Sequence, residues 1–241
     1  MTTNNNFHSL FEHLETTSSI RGALFRLQSK FGELHGCDLA YEYMMKDTSF
    51  VRGDLVSMTT LSRRFTDLYF PGGGPNSDPV LEHVTADSDP FRVSLRKLCA
   101  GKQTKFYGNK FYTALLENGC ENFTSFPFKD DMGIGFGVFT IFATSDFLDQ
   151  KVKDEYYREL ALNFHKCMKS GGQLARYFNI LDREHHALSK MADGKTAADI
   201  AQDLDVTPRS IELRLQSVRK KLQARTTTEA VYKAVAYSIL P

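Results

Sequence analysis

The residues from Val206 to Arg225, VTPRSIELRLQSVRKKLQAR, set six lysines and arginines against one acidic residue, in a chain of 241 residues whose net charge is only +1. Apolar residues recur there at Ile211, Leu215, Val218 and Leu222, with spacings that predict a helix with one buried stripe. Thr207 is placed to cap that helix and Pro208 to open it, where a missing N–H costs nothing. Arg209, Glu212, Gln216, Arg219 and Lys220 then fall on the outward face. Upstream, Thr196 can cap a helix through AADIAQDL, which puts Ala197, Ile200, Ala201 and Leu204 on one side, and DVT makes a tight turn between the two helices. Two short capped helices, the second outwardly basic, are what a helix-turn-helix needs to enter the major groove of DNA. The same charge run also fits the solvated face of an ordinary bundle helix.

Other clusters invite chemistry that their spacing does not support. PGGGP around Gly72 to Gly74 is followed by no capped helix carrying a lysine, as a P-loop requires, and reads as a flexible loop over a pocket. GIGFG, Gly133 to Gly137, opens a strand rather than a helix, so it is no dinucleotide fingerprint. The adjacent histidines of EHH, Glu184 to His186, point to different sides of a helix and cannot chelate one metal. Cys37, Cys99, Cys120 and Cys167 lack CxxC spacing, so reduced thiols are expected rather than a zinc site or a disulfide framework. With no nucleophile elbow and no paired-carboxylate constellation, neither a metal nor a cofactor is expected, and no enzyme.

The elements that must position these residues fall into two groups. With 41% apolar and 24% charged residues the composition is globular, and the length allows one large or two ordinary domains. HSLFEHLETTSSIRGALFRLQSKFGEL predicts two helices broken near Thr16 to Ser19. CDLAYEYMM, GDLVSMTTL, NFTSFPFKDD and GFGVFTIFAT predict strands, with short helices around Leu61 to Tyr69, Pro79 to Val84 and Phe111 to Glu117, and a long one from about Asp149 to Ser170. The expected fold class is α/β: an amino-terminal α-β-α sandwich with an antiparallel sheet over 1–168, then an all-α helix-turn-helix domain over 178–241. KSGGQ, with its paired glycines, marks a linker over 169–177. No segment approaches the ~20 apolar residues that span a bilayer, and MTTNNNFHSLFEHLE lacks the pattern of a signal peptide; a cytoplasmic protein is expected. From Phe178 onward there are ten Lys/Arg against eight Asp/Glu, so the basic charge is focused on the single helix described first.

GKTAADIAQDLDVTPRSIELRLQSVRKKLQARTTTEAV resembles the LuxR/GerE-type helix-turn-helix. Gly194, Lys195, Thr196, Ile200, Ala201, Leu204, Thr207, Ser210, Ile211, Leu215, Val218, Lys221, Leu222 and Ala230 match that pattern over about the last sixty residues. ILDREHHAL keeps the family's Arg183 and Glu184 but lacks its Ser/Thr cap, a role that Asp182 could take in a slightly shortened helix. The resemblance implies DNA contacts from Lys195, Thr207, Arg209, Ser210, Arg214, Arg219 and Lys220, chiefly to phosphates. It puts Glu212 and Gln216 at base-reading positions, where Glu can accept from cytosine N4 and Gln can pair with adenine. It also implies a homodimer on a two-fold symmetric site, to which the closing helix TTEAVYKAVAYSIL contributes.

FTDLYFPGGGPNSDPV resembles the ligand domain of quorum-sensing LuxR-type receptors, which bind acyl-homoserine lactones. Phe65, Tyr69, Asp78 and Pro79 fall at that pattern's intervals, and GCENFTSFP keeps its glycine-to-proline spacing. The resemblance implies that Asp78 accepts a ligand amide N–H, that Tyr69 donates to an acyl carbonyl, and that Thr140 adds a hydroxyl. On the residues alone, Asp78 reads as the cap of PVLEHV and Tyr69 as a core aromatic. The family's indole donors are absent, because the chain has no tryptophan. Phe65 stands in for one, Val93 for another, and Phe123 replaces a glycine, so the pocket should differ in shape and polarity from the family's usual one.

The resulting expectation is a dimeric transcription regulator that binds a small autoinducer-like signal in one domain and double-stranded DNA with the other. Two alternatives stay open: a ligand-independent member or antagonist acting through mixed dimers, and, remotely, an enzyme acting on an acylated amide through Asp78.

Overall fold

A computed structural model describes residues 20–35, 37–45, 55–69, 71, 74, 78–86, 89–101, 109–130, 133–144, 151–170 and 172–241. It divides into two compact units, Met1–Phe164 and His165–Pro241.

The first unit is built on a five-stranded antiparallel sheet. Its strands are β1 (Asp38–Met45), β2 (Leu55–Thr59), β3 (Phe91–Ser94), β4 (Asn122–Lys129) and β5 (Gly135–Ala143), in the order β2-β1-β5-β4-β3. Its helices are α1 (Ile20–His35), α2 (Arg63–Tyr69), α3 (Pro79–Ala86), α4 (Leu95–Ala100), α5 (Lys110–Glu117) and most of α6 (Lys151–Lys169). The four strands expected from aromatic and β-branched runs are present, and β3 and α4 are additional. The first of the two expected amino-terminal helices, and Gly72 and Gly73 of the glycine loop, lie outside the described residues.

Alternation along the strands sends side chains to two faces. On one, Tyr41 and Phe139 pack against Phe164 of α6, with ring centroids 5.1 and 5.6 Å apart, and Phe126 meets Tyr157 at 5.5 Å. On the other, Phe123, Val138 and Phe142 join Leu61, Leu81, Leu95, Phe111, Tyr112 and Leu115 in a second cluster. Helices therefore cover both faces, as a sandwich requires. Gly137 sits where backbone and ring come too close for a side chain: a Cβ there would lie 2.4 Å from Phe128 Cζ and 2.5 Å from the Glu42 carbonyl oxygen. Gly135 and Gly137 thus allow close approach within the sheet, and GIGFG opens a strand rather than a helix.

The second unit is helical. After α6 come α7 (Gln173–Tyr177), α8 (Asp182–Ala192), α9 (Ala197–Asp203), α10 (Pro208–Lys221) and α11 (Thr227–Ala236). The stretch 169–177, expected as a linker, thus contains a short helix. The cap of α8 is a correction. Asp182 is its first helical residue rather than its cap, and Glu184 instead reaches back to the Leu181 N–H at 2.8 Å. The side chain three residues into the helix satisfies the orphan donor from inside, so no Ser/Thr is needed.

Candidate functional site

Among the described residues, two clusters hold the polar residues singled out in the sequence, one in each unit. In the first, Asp78 precedes α3 and is buried, with 7% exposure. Its Oδ1 accepts the Val80 N–H at 2.8 Å, so it does cap the helix; its Oδ2 accepts the Tyr69 hydroxyl at 2.7 Å, and Oδ1 also accepts the Tyr112 hydroxyl at 3.1 Å. The Leu81 N–H is a further donor. A carboxylate has about four acceptor sites, so Asp78 is fully engaged. Burial raises its pKa above the ordinary value, and the hydroxyls and N–H groups work against that rise. Both tyrosine hydroxyls are pushed well above their usual range, by burial first and the nearby carboxylates next.

Beside Asp78 is a cavity of about 70 Å³, lined by residues of β1, β2, α2, α3, α5, β4 and β5. Its apolar wall is a run of rings in successive contact: Tyr69 to Phe111 at 5.2 Å, Phe111 to Tyr112 at 5.0 Å, Tyr112 to Phe123 at 6.0 Å and Phe123 to Phe142 at 5.8 Å. Small-molecule pockets run to about 300–1,000 Å³. Phe123, at a position the sequence singled out, is among the rings that line the cavity.

Of the residues expected at a ligand site, Tyr69, Asp78 and Thr140 are brought together on the cavity wall. Thr140 is tied to its cross-strand neighbour Ser125, Oγ1 to Oγ at 2.8 Å. Phe65 and Val93 pack against the same apolar cluster but are not among the lining residues. Sequence reasoning missed Glu42, at the middle of β1, which also lines the cavity. Burial, then the Asp78 charge, pushes its pKa up to about 8. The available signal was an acid flanked on both sides by apolar residues in LAYEYMM.

In the second unit, α10 has the predicted buried stripe: Ile211, Leu215, Val218 and Leu222 are all 6% exposed or less. Burying each contributes ~1.5–3 kcal/mol. Thr207 caps the helix, accepting from the Ser210 N–H at 3.2 Å, and Thr196 caps α9 with Asp199 completing a reciprocal pair. The turn between them is closed by Asp205, whose φ of 52° is a left-handed conformation that Asp tolerates better than most. Thr207, Arg209, Glu212, Gln216 and Lys220 are exposed, while Ser210, Arg214 and Arg219 are half-buried. Arg209 pairs with Glu212 at 3.0 Å, Lys195 pairs with Asp203, and Arg219 reaches the Arg225 carbonyl at 3.5 Å.

Two lysines hold the carboxy-terminal end of α10 in place. Lys221 donates to the Asn179 carbonyl at 2.7 Å and to the buried carboxylate of Glu184 at 2.6 Å. Burial acts to raise the Glu184 pKa, but the bonds from Lys221, the Leu181 N–H and Ser217 outweigh it, and the net shift is downward. Lys233 of α11, 4% exposed, donates to the Leu222 and Gln223 carbonyls at 3.2 and 3.1 Å. It satisfies the carboxy-terminal end of α10, where a cation is favoured.

Residues 181–234 match the family described as bacterial regulatory proteins, luxR family. This is a luxR-family helix-turn-helix domain. Its Glu184 and Lys221 are the buried pair just described, and its Gly194, at φ 84°, turns the chain after α8. No curated protein matches the chain. Among solved structures, SdiA from Escherichia coli is 17% identical with a TM-score of 0.52, over 98% of this chain and 100% of that one. SdiA in complex with octanoyl-rac-glycerol is 15% identical with a TM-score of 0.53, over 98% and 96%. CepR2 from Burkholderia cenocepacia, an N-acylhomoserine lactone-dependent LuxR family transcription factor, is 14% identical with a TM-score of 0.51, over 70% and 94%. The chain thus joins a LuxR-type DNA-binding domain to an α/β domain, in the fold of SdiA. Among the described residues, no helix is long and apolar enough to cross a membrane.

Proposed function

We propose that this chain is a signal-responsive transcription regulator that binds operator DNA as a homodimer and holds a small acylated molecule beside Asp78. The observation that carries the reading is α10, a luxR-family recognition helix that leaves Arg209, Glu212, Gln216 and Lys220 exposed on the side away from its buried stripe. Lys195, Thr207, Arg209, Ser210, Arg214, Arg219 and Lys220 hold phosphates; Glu212 and Gln216 read base edges. Gln216→Ala should flatten base preference at one operator position at a cost of ~1–3 kcal/mol. Uniform loss across operator variants would contradict that role.

For the ligand, acyl-homoserine lactones and acyl glycerols are the first candidates, because CepR2 depends on the former and SdiA holds the latter. Such a molecule would bring its own N–H or O–H to Asp78 and displace a tyrosine hydroxyl, leaving Tyr69 to donate to the acyl carbonyl. A ligand that binds only the folded state raises stability by about 2.7 kcal/mol at a hundred times its Kd. Thermal melting with a series of lactones and octanoyl-glycerol tests this, and no stabilisation by any of them removes the acylated-signal reading.

A ligand-independent regulator is favoured by one specific observation, the fully engaged Asp78 beside a cavity of only about 70 Å³. Equal operator affinity with and without cell extract would select it.

A further inference from the structure

Glu42 has no part in the reading above. It stands on β1 opposite Ser57 of β2, which hydrogen-bonds its carboxyl group, and both residues line the cavity with Asp78. Among the described lining residues there is no lysine, arginine or histidine. Two carboxylates in one apolar enclosure do not both stay ionised, because burial penalises each charge and the two charges repel. Of the two, Asp78 has the greater support for a negative charge, two hydroxyls and two backbone N–H groups, whereas Glu42 has Ser57. At neutral pH the proton therefore resides on Glu42, whose pKa is near 8. A protonated carboxyl can donate a hydrogen bond.

We propose that Glu42 is the ligand-facing donor of this cavity, and that the molecule it selects is a neutral carbonyl compound whose oxygen meets Glu42 while an N–H or O–H meets Asp78. This rests on the reading of the cavity as a ligand site and names the class of molecule that fits it. A neutral ligand suits the pair as it stands, one anion and one acid. An alkylammonium ion would instead have to be stripped of water against a single net negative charge, or ionise Glu42 first.

The probes are butanamide, which carries both groups on a frame short enough for the cavity, and butylammonium, a cation of similar length. Their binding to the full chain is followed by ligand-observed NMR titration in wild type, Glu42→Gln and Glu42→Leu. Glutamine keeps a donor at the same place, so Glu42→Gln should bind butanamide at pH 7 within about threefold of wild type, and Glu42→Leu about tenfold more weakly. Wild-type affinity should fall as pH rises through about 8, and that of Glu42→Gln should stay flat. The other titratable groups around Glu42 are Asp78, Tyr69 of α2 and Tyr112 of α5, and the two tyrosines are raised well above that window. A preference for butylammonium, affinity that rises with pH, indifference to Glu42→Leu, or no butanamide binding to any of the three proteins would overturn the proposal. Lactone-induced stabilisation that Glu42 substitutions leave untouched would remove this inference alone. Butanamide binding without any stabilisation by acylated signals would remove the acylated-signal reading alone.

Discussion

Glu42 illustrates how a residue's surroundings, rather than its type, decide what it does. In the sequence it stands between Tyr41 and Tyr43, an acid in an apolar run whose pattern does not say what its face meets. The structure turns that face onto a cavity closed by α2, α3 and α5, information that no local window contains. Its raised pKa has a stability consequence. A carboxyl that holds its proton longer when folded costs stability as pH rises from its ordinary 4.5 towards about 8. Glu42→Gln should therefore melt progressively higher than wild type between pH 5 and pH 8 in the absence of ligand; a gap that stays constant with pH would contradict the assignment. Glu184 has the opposite sign. Its carboxylate is held below the ordinary range, so its contribution is present above that range and is lost as pH falls through the folded value. Lys221→Met removes its partner and should destabilise the helix-turn-helix by about 2–3 kcal/mol in denaturant titration.

At the scale of elements, strength of local pattern separates what was legible from what was not. The α10 stripe, with its Thr and Pro start, is visible in sequence because cap, period and outward charge agree. Thr207→Ala should cost ~1 kcal/mol through the lost cap, measurable as a shift in the carboxy-terminal melting transition. The four long strands were equally plain. β3 was not, because four residues paired along β4 alone carry too little alternation to stand out from a loop, and α4, which follows it directly, is a six-residue helix. The cap of α8 was misread for a related reason: the sequence offered Asp182, whereas the reach of Glu184 depends on its being held by Lys221 from another helix. In β5, Gly137→Ala would force a methyl group against the Glu42 carbonyl as well as a ring, and backbone gives way less readily than a side chain. A loss of about 1–3 kcal/mol is expected.

For the whole molecule, charge and family carry different parts of the reading. Almost no net charge is available for long-range attraction to DNA, so affinity must come from the local excess between Val206 and Arg225. Of the residues the resemblance proposed for a ligand, Tyr69, Asp78 and Thr140 do line the cavity. Phe65 and Val93 belong to the core around it. The most direct test of the account is selection by the full chain from a random duplex library at low ionic strength, with candidate signals and cell extract supplied. The account predicts enrichment of a site with two symmetry-related halves, lost preference at one base pair per half in Gln216→Ala, and affinity that falls steeply with salt. Recovery of no preferred duplex under any of these conditions would contradict it.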